Sequence, residues 1–185
     1  MTTPAPPLPT VHCWRIDLDA PRPAGSDQWI ATSEHARADR FKFDYLQRRY
    51  RATRAGLRML LARGLGIQPG EVRFVRSARG KPSLDPVHQS NLQFNLTHSE
   101  HVAWVAVGPM ELGIDLEVLG RQVKMLDSLL HRVTTRDEDQ LLMAMPEALR
   151  ELAFLLMWTR KESALKAWGE GISGMGSLNT LDTRL

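Results

Sequence analysis

Cysteine is nearly absent from this chain of 185 residues, which contains only Cys13. A single thiol excludes an internal disulfide and makes a thiolate metal cluster implausible. Long apolar runs are missing too, since the longest, 152–158, is far shorter than the roughly 20 residues that span a bilayer. Residues 1–9 lack a basic start followed by an apolar stretch, so they do not form a signal peptide. We therefore expect a cytoplasmic protein with a disordered tail over residues 1–10.

The common nucleotide-binding and hydrolase signatures are absent as well. The chain has no phosphate-binding P-loop, no G-x-G-x-x-G, no G-x-S-x-G and no H-E-x-x-H. What it does have is a local excess of positive charge. Residues 35–63 hold nine cations and two acids: Arg37, Arg40, Lys42, Arg48, Arg49, Arg51, Arg54, Arg58 and Arg63 against Asp39 and Asp44. Such a stretch attracts a phosphorylated cofactor, nucleic acid or an acidic protein, unless it is only a solvated helix face.

Hydrophobic periodicity predicts alternating strands and helices. Predicted strands are 11–18, 71–76, 92–96, 102–107 and 112–118. Predicted helices are 33–44 with Ser33 as N-cap, 45–63, about 123–132, one that begins with the capping box of Thr135 and Glu138, and 147–168. Residues 77–86 are expected to form a loop because they contain Gly80, Pro82 and Pro86. The pattern indicates an α+β fold in two halves that meet near Pro109.

Two carboxylates stand out in the predicted strand over 112–118. Asp115 and Glu117 are two residues apart, so their side chains emerge on the same face of a strand. Their mutual repulsion would be relieved by a cation, and Mg²⁺ prefers oxygen ligands of this kind. The same pattern also occurs on exposed polar strand faces, and taken alone that explanation is the more common one.

The last predicted helix carries a third candidate carboxylate. Glu162 and Lys166 lie four residues apart and share a face with Trp158. Glu162 is in a position to complete a metal site with Asp115 and Glu117, and Lys166 to neutralise phosphate charge. An exposed Glu–Lys pair without function has the same spacing.

Two further segments carry polar or cationic side chains. Phe94-Asn95-Leu96-Thr97-His98-Ser99 brings short polar groups and an imidazole to the end of a strand, where they suit a phosphate or an adenine edge. Arg79-Gly80-Lys81-Pro82 places two cations around a glycine that a ligand can approach closely. Ordinary turn chemistry accounts for each segment in isolation.

Taken in order, these segments resemble the 4'-phosphopantetheinyl transferase superfamily, and more closely its surfactin-synthetase-activating (Sfp-like) branch. The similarity runs from about residue 37 to 171 and includes Arg40-Phe41 before the basic helix. The family fold implies two similar α+β lobes, 11–108 and 109–185, related by a pseudo-twofold axis with coenzyme A in the cleft.

The resemblance also implies roles for individual residues. Mg²⁺ would be held by Asp115, Glu117 and Glu162. Coenzyme A would be bound by Arg40, Arg79, Lys81, Thr97, His98 and Lys166. Glu162 and Lys166 would serve catalysis, with Glu162, or a metal-bound water that it orients, as the base. The expected partner is an apo acyl or peptidyl carrier protein, acted on by a monomer that binds neither nucleic acid nor membrane.

The end of the chain departs from the family pattern. Related proteins usually continue for several strands after the helix that bears Lys166, whereas 173–185 does not match well. Either the second lobe is short of strands or the chain is truncated, and missing strands would expose a sheet edge and apolar surface. Two other functions therefore stay open: a catalytically impaired family member, and a nucleic-acid-binding module that uses the basic stretch. Only 6% of residues are aromatic and no nucleic-acid-binding motif is present, which weighs against the second.

Overall fold

A computed structural model describes residues 9–119 and 126–181, without the side chains at 126–128, 131, 172 and 173. The α+β class is confirmed. The helices are α1 (Thr32–Ala38), α2 (Asp44–Leu65), α3 (Leu126–Val133), α4 (Arg136–Ala144) and α5 (Glu147–Trp168). The strands are β1 (His12–Asp17), β2 (Phe74–Arg76), β3 (Pro82–Leu84), β4 (Gln93–Ser99) and β5 (Val102–Gly108). Of the tail predicted to be disordered, residues 1–8 lie outside the described residues.

The main sheet is antiparallel, with strand order β1-β5-β4. In the central strand β5, Val105 lies between Trp14 of β1 on one side and Leu96 of β4 on the other. Helix α2 covers one face because its apolar side recurs at helical spacing. Leu57 and Leu61 are fully buried there, together with Val105 of the sheet. This core fixes β4, whose C-terminal residues carry the polar cluster of the candidate site.

Two local predictions in the first half were wrong. Ser33 is not the N-cap of α1, because the helix begins at Thr32 and the Glu34 carboxylate accepts a 3.0 Å hydrogen bond from the Ala31 N–H. The helix also ends at Ala38 rather than near residue 44. The segment 77–86 is not all loop, because β3 pairs with β2 in a hairpin whose turn contains Gly80 at φ 86°.

The strand predicted over 112–118 is also wrong. These residues form no backbone ladder with any described strand. The segment lies between β4 and α5, with Gly113 against the helix backbone. A Cβ built on Gly113 would come within 1.9 Å of the Ser163 carbonyl oxygen. Only glycine therefore permits this approach.

The described part of the second half is helical. The predicted capping box is confirmed: Glu138 Oε2 accepts a 2.7 Å hydrogen bond from the Thr135 N–H at the start of α4. Helix α5 ends at Gly169, whose φ of 69° is the left-handed cap that glycine favours. All described strands precede Pro109. No helix in the described ranges is long and apolar enough to cross a membrane.

Candidate active site

Polar side chains of β4, rather than backbone hydrogen bonds between strands, hold the Asp115–Glu117 segment. Residues two apart in β4 project to one face, and here they point at the segment. Thr97 Oγ1 donates to Asp115 Oδ1 at 3.0 Å and Ser99 Oγ to Glu117 Oε2 at 3.4 Å, while the Asn95 side-chain oxygen accepts from the Ile114 N–H at 3.2 Å. The side chains of Asn95 and Ser99 thus orient the segment that bears both carboxylates, a role that the sequence did not indicate.

Helix α5 brings a cation and a third carboxylate to the same place. Lys166 Nζ lies 2.5 Å from Asp115 Oδ1, 3.4 Å from Thr97 Oγ1 and 3.9 Å from Glu162 Oε2. The Asp115 side chain is 7% exposed and that of Glu162 is 15% exposed. The ammonium of Lys166 therefore compensates two largely buried carboxylates.

These groups line one cavity of about 280 Å³. The lining residues are Leu96, Thr97, His98, Asp115, Leu116, Glu117, Trp158, Glu162 and Lys166. Six of them are residues that the sequence nominated for the site, contributed by β4, the 111–118 segment and α5. The structure thus brings Thr97 and Lys166, which are 69 residues apart in the chain, to a 3.4 Å contact.

The local electrostatics favour binding of a cation. Burial raises the pKa of Glu162; Lys166 opposes this effect, and the negative charges of Asp115 and Glu117 add to it. At the cavity mouth, loss of hydration lowers the pKa of His98, and the nearby Lys166 lowers it further. Three carboxylates thus share one ammonium in the cavity lining, beside an imidazole that is biased toward its neutral form.

Three nominated residues lie elsewhere. Arg40 is exposed just after α1. Lys81 binds the C-terminal end of α5, where its Nζ donates to the Ala167 carbonyl at 2.6 Å and pairs with Glu111. Arg79 forms an exposed pair with Glu170 at 3.6 Å. None of the three lines the carboxylate cavity.

A second, basic cavity of about 170 Å³ adjoins the first and shares Leu96 and His98 with it. Its cationic lining comes from α1, α2 and β2: Arg37, Arg49, Arg54 and Arg76. Arg40 is a chain neighbour of Phe41 in this lining. The sequence had located the positive charge in this region, but single-chain spacing did not reveal which arginines face the cavity.

Comparison with known proteins identifies the family. The model described as 4'-phosphopantetheinyl transferase superfamily matches residues 111–185, and that described as 4'-phosphopantetheinyl transferase, N-terminal, matches residues 25–110. The 4'-phosphopantetheinyl transferase HetI of Nostoc is 42% identical over 88% of this chain and 70% of its own length. The chain therefore belongs to the 4'-phosphopantetheinyl transferase superfamily.

More distant relatives agree with this assignment. A putative 4'-phosphopantetheinyl transferase of Synechocystis is 32% identical over 90% of this chain and 68% of its own length. The human L-aminoadipate-semialdehyde dehydrogenase-phosphopantetheinyl transferase is 29% identical over 77% of this chain and 49% of its own length. These similarities support the superfamily without distinguishing the Sfp-like branch, which stays a prediction.

Proposed function

We propose that this chain is a Mg²⁺-dependent 4'-phosphopantetheinyl transferase. It moves the phosphopantetheine group of coenzyme A to a serine of an apo acyl or peptidyl carrier protein and releases adenosine 3',5'-bisphosphate. The observation that carries the proposal is the meeting of Asp115, Glu117, Glu162 and Lys166 around one cavity, in a member of this superfamily. We propose the division into lobes at 11–108 and 109–185 with it, and a monomeric, cytoplasmic enzyme.

The donor set fits a hard divalent cation. Asp115 Oδ2 is buried and has no hydrogen-bond partner among the described residues, so one carboxylate oxygen is left to bind something else. Within residues 9–119 and 126–181, no three His, Cys, Asp or Glu side chains stand close enough to hold a metal without rearrangement. In this arrangement the ammonium of Lys166 lies 2.5 Å from Asp115 Oδ1 and 3.9 Å from Glu162 Oε2. Asp115, Glu117 and Glu162 would hold Mg²⁺ once Lys166 shifts toward a phosphate.

The chain's own groups would then divide the chemistry of phosphoryl transfer. Bound Mg²⁺ would supply charge neutralisation at the diphosphate. Lys166 would bind the same diphosphate as a point charge, and His98 would donate a hydrogen bond to it from β4. Thr97 would contact it as well, by turning its single hydroxyl proton from Asp115 to a phosphate oxygen. Glu162, or a water that it orients, accepts the proton of the attacking serine hydroxyl.

The nucleotide would occupy the basic cavity next to the carboxylates. Arginines of α1, α2 and β2 surround this cavity, and a 3'-phosphate is the kind of anion that such a cluster attracts. We keep Arg40, Arg79 and Lys81 as binding residues in the proposal. None of the three lines the basic cavity in its present position.

Mass spectrometry of carrier proteins tests the proposal. Apo carriers from fatty-acid, polyketide and peptide-synthetase systems are incubated with the chain and coenzyme A, with and without Mg²⁺. We expect at least one carrier to gain the phosphopantetheine mass in the presence of Mg²⁺. Glu162→Gln should lower the rate at least about 100-fold because it removes the base and a metal ligand.

Glu147→Gln is the matched control, because Glu147 is an exposed glutamate in the first turn of the same helix. It should leave the rate unchanged. Coenzyme A binding without transfer would identify a catalytically impaired family member instead. Salt-dependent DNA binding without coenzyme A binding would favour the nucleic-acid module.

A further inference from the structure

Lys161, next to Glu162 in α5, is fully buried and faces away from the candidate active site. Its side chain is 0% exposed. Its Nζ donates to the Val133 carbonyl at 2.5 Å, to Glu138 Oε2 at 2.6 Å and to the Met175 carbonyl at 2.9 Å. The three acceptors belong to the end of α3, to α4 and to the segment after α5. One ammonium therefore joins every described element of the second half.

Glu138 extends this network, which we call the Lys161–Glu138 hub. Its side chain is 1% exposed. Its Oε1 accepts hydrogen bonds from the Thr180 N–H at 2.8 Å and the Thr180 hydroxyl at 2.7 Å, and its Oε2 accepts from the Thr135 N–H at 2.7 Å. No polar atom of Lys161 or Glu138 is without a partner.

Stability alone is a poor explanation for such a pair. The removal of two ions from water offsets much of their attraction, and apolar residues of similar volume often replace a buried ion pair without loss of stability. The neighbours of Lys161 on the same face of α5, Met157 and Leu165, are apolar and already supply a core contact. The hub instead fixes the orientation of α5. Three acceptors around one ammonium restrict both the translation of the helix along its axis and its rotation about that axis.

The orientation of α5 determines where the next residue, Glu162, points. Successive helical residues point about 100° apart, so a fixed Lys161 aims Glu162 and, one turn later, Lys166. A rotation of α5 by about 20° would move a carboxylate lying about 5 Å from the helix axis by about 2 Å. Metal–ligand distances tolerate only about 0.2 Å.

We propose that Lys161 and Glu138 are positioning residues, which lock α5 in the orientation that presents Glu162 and Lys166 to Asp115. This inference rests on the proposed function, because it assigns the hub a purpose in that same site. Neither residue touches the substrate cavity. Both act through α5.

The test separates folding from positioning in the full-length chain. In the double variant Lys161→Met/Glu138→Leu, both ends of the buried pair are replaced together, so no unpaired charge remains and cooperative unfolding should be retained. Mn²⁺ in the presence of coenzyme A is the probe, and free Mn²⁺ is followed by its electron paramagnetic resonance spectrum. Wild type should bind Mn²⁺, and the folded double variant should bind it at least about tenfold more weakly, with a matching rise in the Mg²⁺ needed for half-maximal transfer.

Leu142→Ala is the control for general loosening of the same core, since Leu142 lies one turn after Glu138 in α4 and is 3% exposed. It should lower the unfolding midpoint and leave Mn²⁺ affinity unchanged. If the double variant does not fold, Thr180→Val replaces it in the Mn²⁺-binding measurement. It removes one hydrogen bond to Glu138 and should weaken Mn²⁺ binding about two- to threefold.

Wild-type Mn²⁺ affinity in a folded double variant, or in Thr180→Val when that variant carries the test, would overturn the positioning role and leave the proposed function intact. If wild type itself neither binds Mn²⁺ with coenzyme A nor modifies any carrier, the proposed function and the positioning role fall together. The two failures are thus distinguished by the wild-type measurement.

Discussion

Individual residues decide whether the carboxylates meet. Gly113 lets the 111–118 segment lie directly on the backbone of α5, and Asn95, Thr97 and Ser99 then hold that segment by side-chain hydrogen bonds. Each contact is weak alone, since one such bond contributes about 1 kcal/mol net. Their joint effect is to fix Asp115 beside Lys166.

Gly113→Ala should separate the segment from α5. The new Cβ would meet the Ser163 carbonyl oxygen, which is backbone and cannot rotate away. A displacement of about 1 Å at a catalytic site can lower the rate about 100-fold, so we expect a loss of that order in carrier modification together with a lower unfolding midpoint. Gly171→Ala is the matched control, because a Cβ there has nothing within 4 Å. An active Gly113→Ala enzyme would contradict the proposed contact.

Glu162 should make the metal-free protein less stable as pH rises. Burial and its acidic neighbours raise its pKa in the folded state. The associated stability is therefore fully present below the unfolded-state pKa and is lost as pH rises through the folded-state pKa. Glu162→Gln should match wild type near pH 4 and exceed it above about pH 7. Urea unfolding in the presence of a chelator measures both, and a stability difference independent of pH would contradict the sign.

At the scale of elements, α5 positions the site because each of its faces contacts a different part of the molecule. Trp158, Glu162 and Lys166 face the cavity, Lys161 faces the hub, and the C-terminal end receives Lys81 from the β2–β3 hairpin. A cation at a helix C-terminus is favourable because the last carbonyls carry partial negative charge. The helix thereby connects both halves of the molecule.

Lys81→Met should weaken this connection. It removes hydrogen bonds from a charged donor to Ala167 and Glu111, and we expect a loss of about 1–2 kcal/mol in the free energy of unfolding. Lys42→Met is the control, since Lys42 is exposed and its ammonium lies over the Phe43 ring. Urea unfolding is the measurement. Unchanged stability with weaker coenzyme A binding would instead make Lys81 purely a ligand of the nucleotide.

The sequence predicted the long helices, whose apolar spacing lies within one continuous segment. Helices α2 and α5 were placed closely because apolar spacing and terminal glycines define them. The strand at 112–118 was wrong, although Ile114, Leu116 and Val118 alternate, because alternation does not reveal whether a partner strand exists. Here side chains of β4 take that place.

The sequence predicted which residues belong to the site better than it predicted the contacts among them. Family motifs nominated the three carboxylates and Lys166, and the structure gathers them. A single sequence could not foresee that Lys166 pairs with Asp115, or that Lys161 is buried, because both depend on the rotation of α5 about its own axis. Residue type alone favours an exposed lysine at either position.

At the scale of the whole molecule, an apolar stripe remains uncovered on α5. Leu149, Leu152 and Leu156 recur at helical spacing and are 52%, 40% and 58% exposed. Leu141 and Met143 of α4 are each 43% exposed. Nothing in the described part of the chain covers these side chains.

Leu152→Gln/Leu156→Gln should therefore raise solubility. The substitutions remove exposed apolar area without touching the core, so the unfolding midpoint should stay within a few degrees of wild type. Light scattering at increasing protein concentration should fall relative to wild type. A large drop in the midpoint would mean that the stripe packs against something, and would contradict its exposure.

The ammonium that pairs with Asp115 gives the resting enzyme an internal counter-ion. Under the proposed function, a divalent cation at this carboxylate would repel the ammonium, and a diphosphate would offer the ammonium another anion. The two ligands should consequently assist each other, and by thermodynamic reciprocity each must raise affinity for the other by the same factor. Under the proposed function, the site would therefore bind a divalent cation weakly without the diphosphate and more tightly with it.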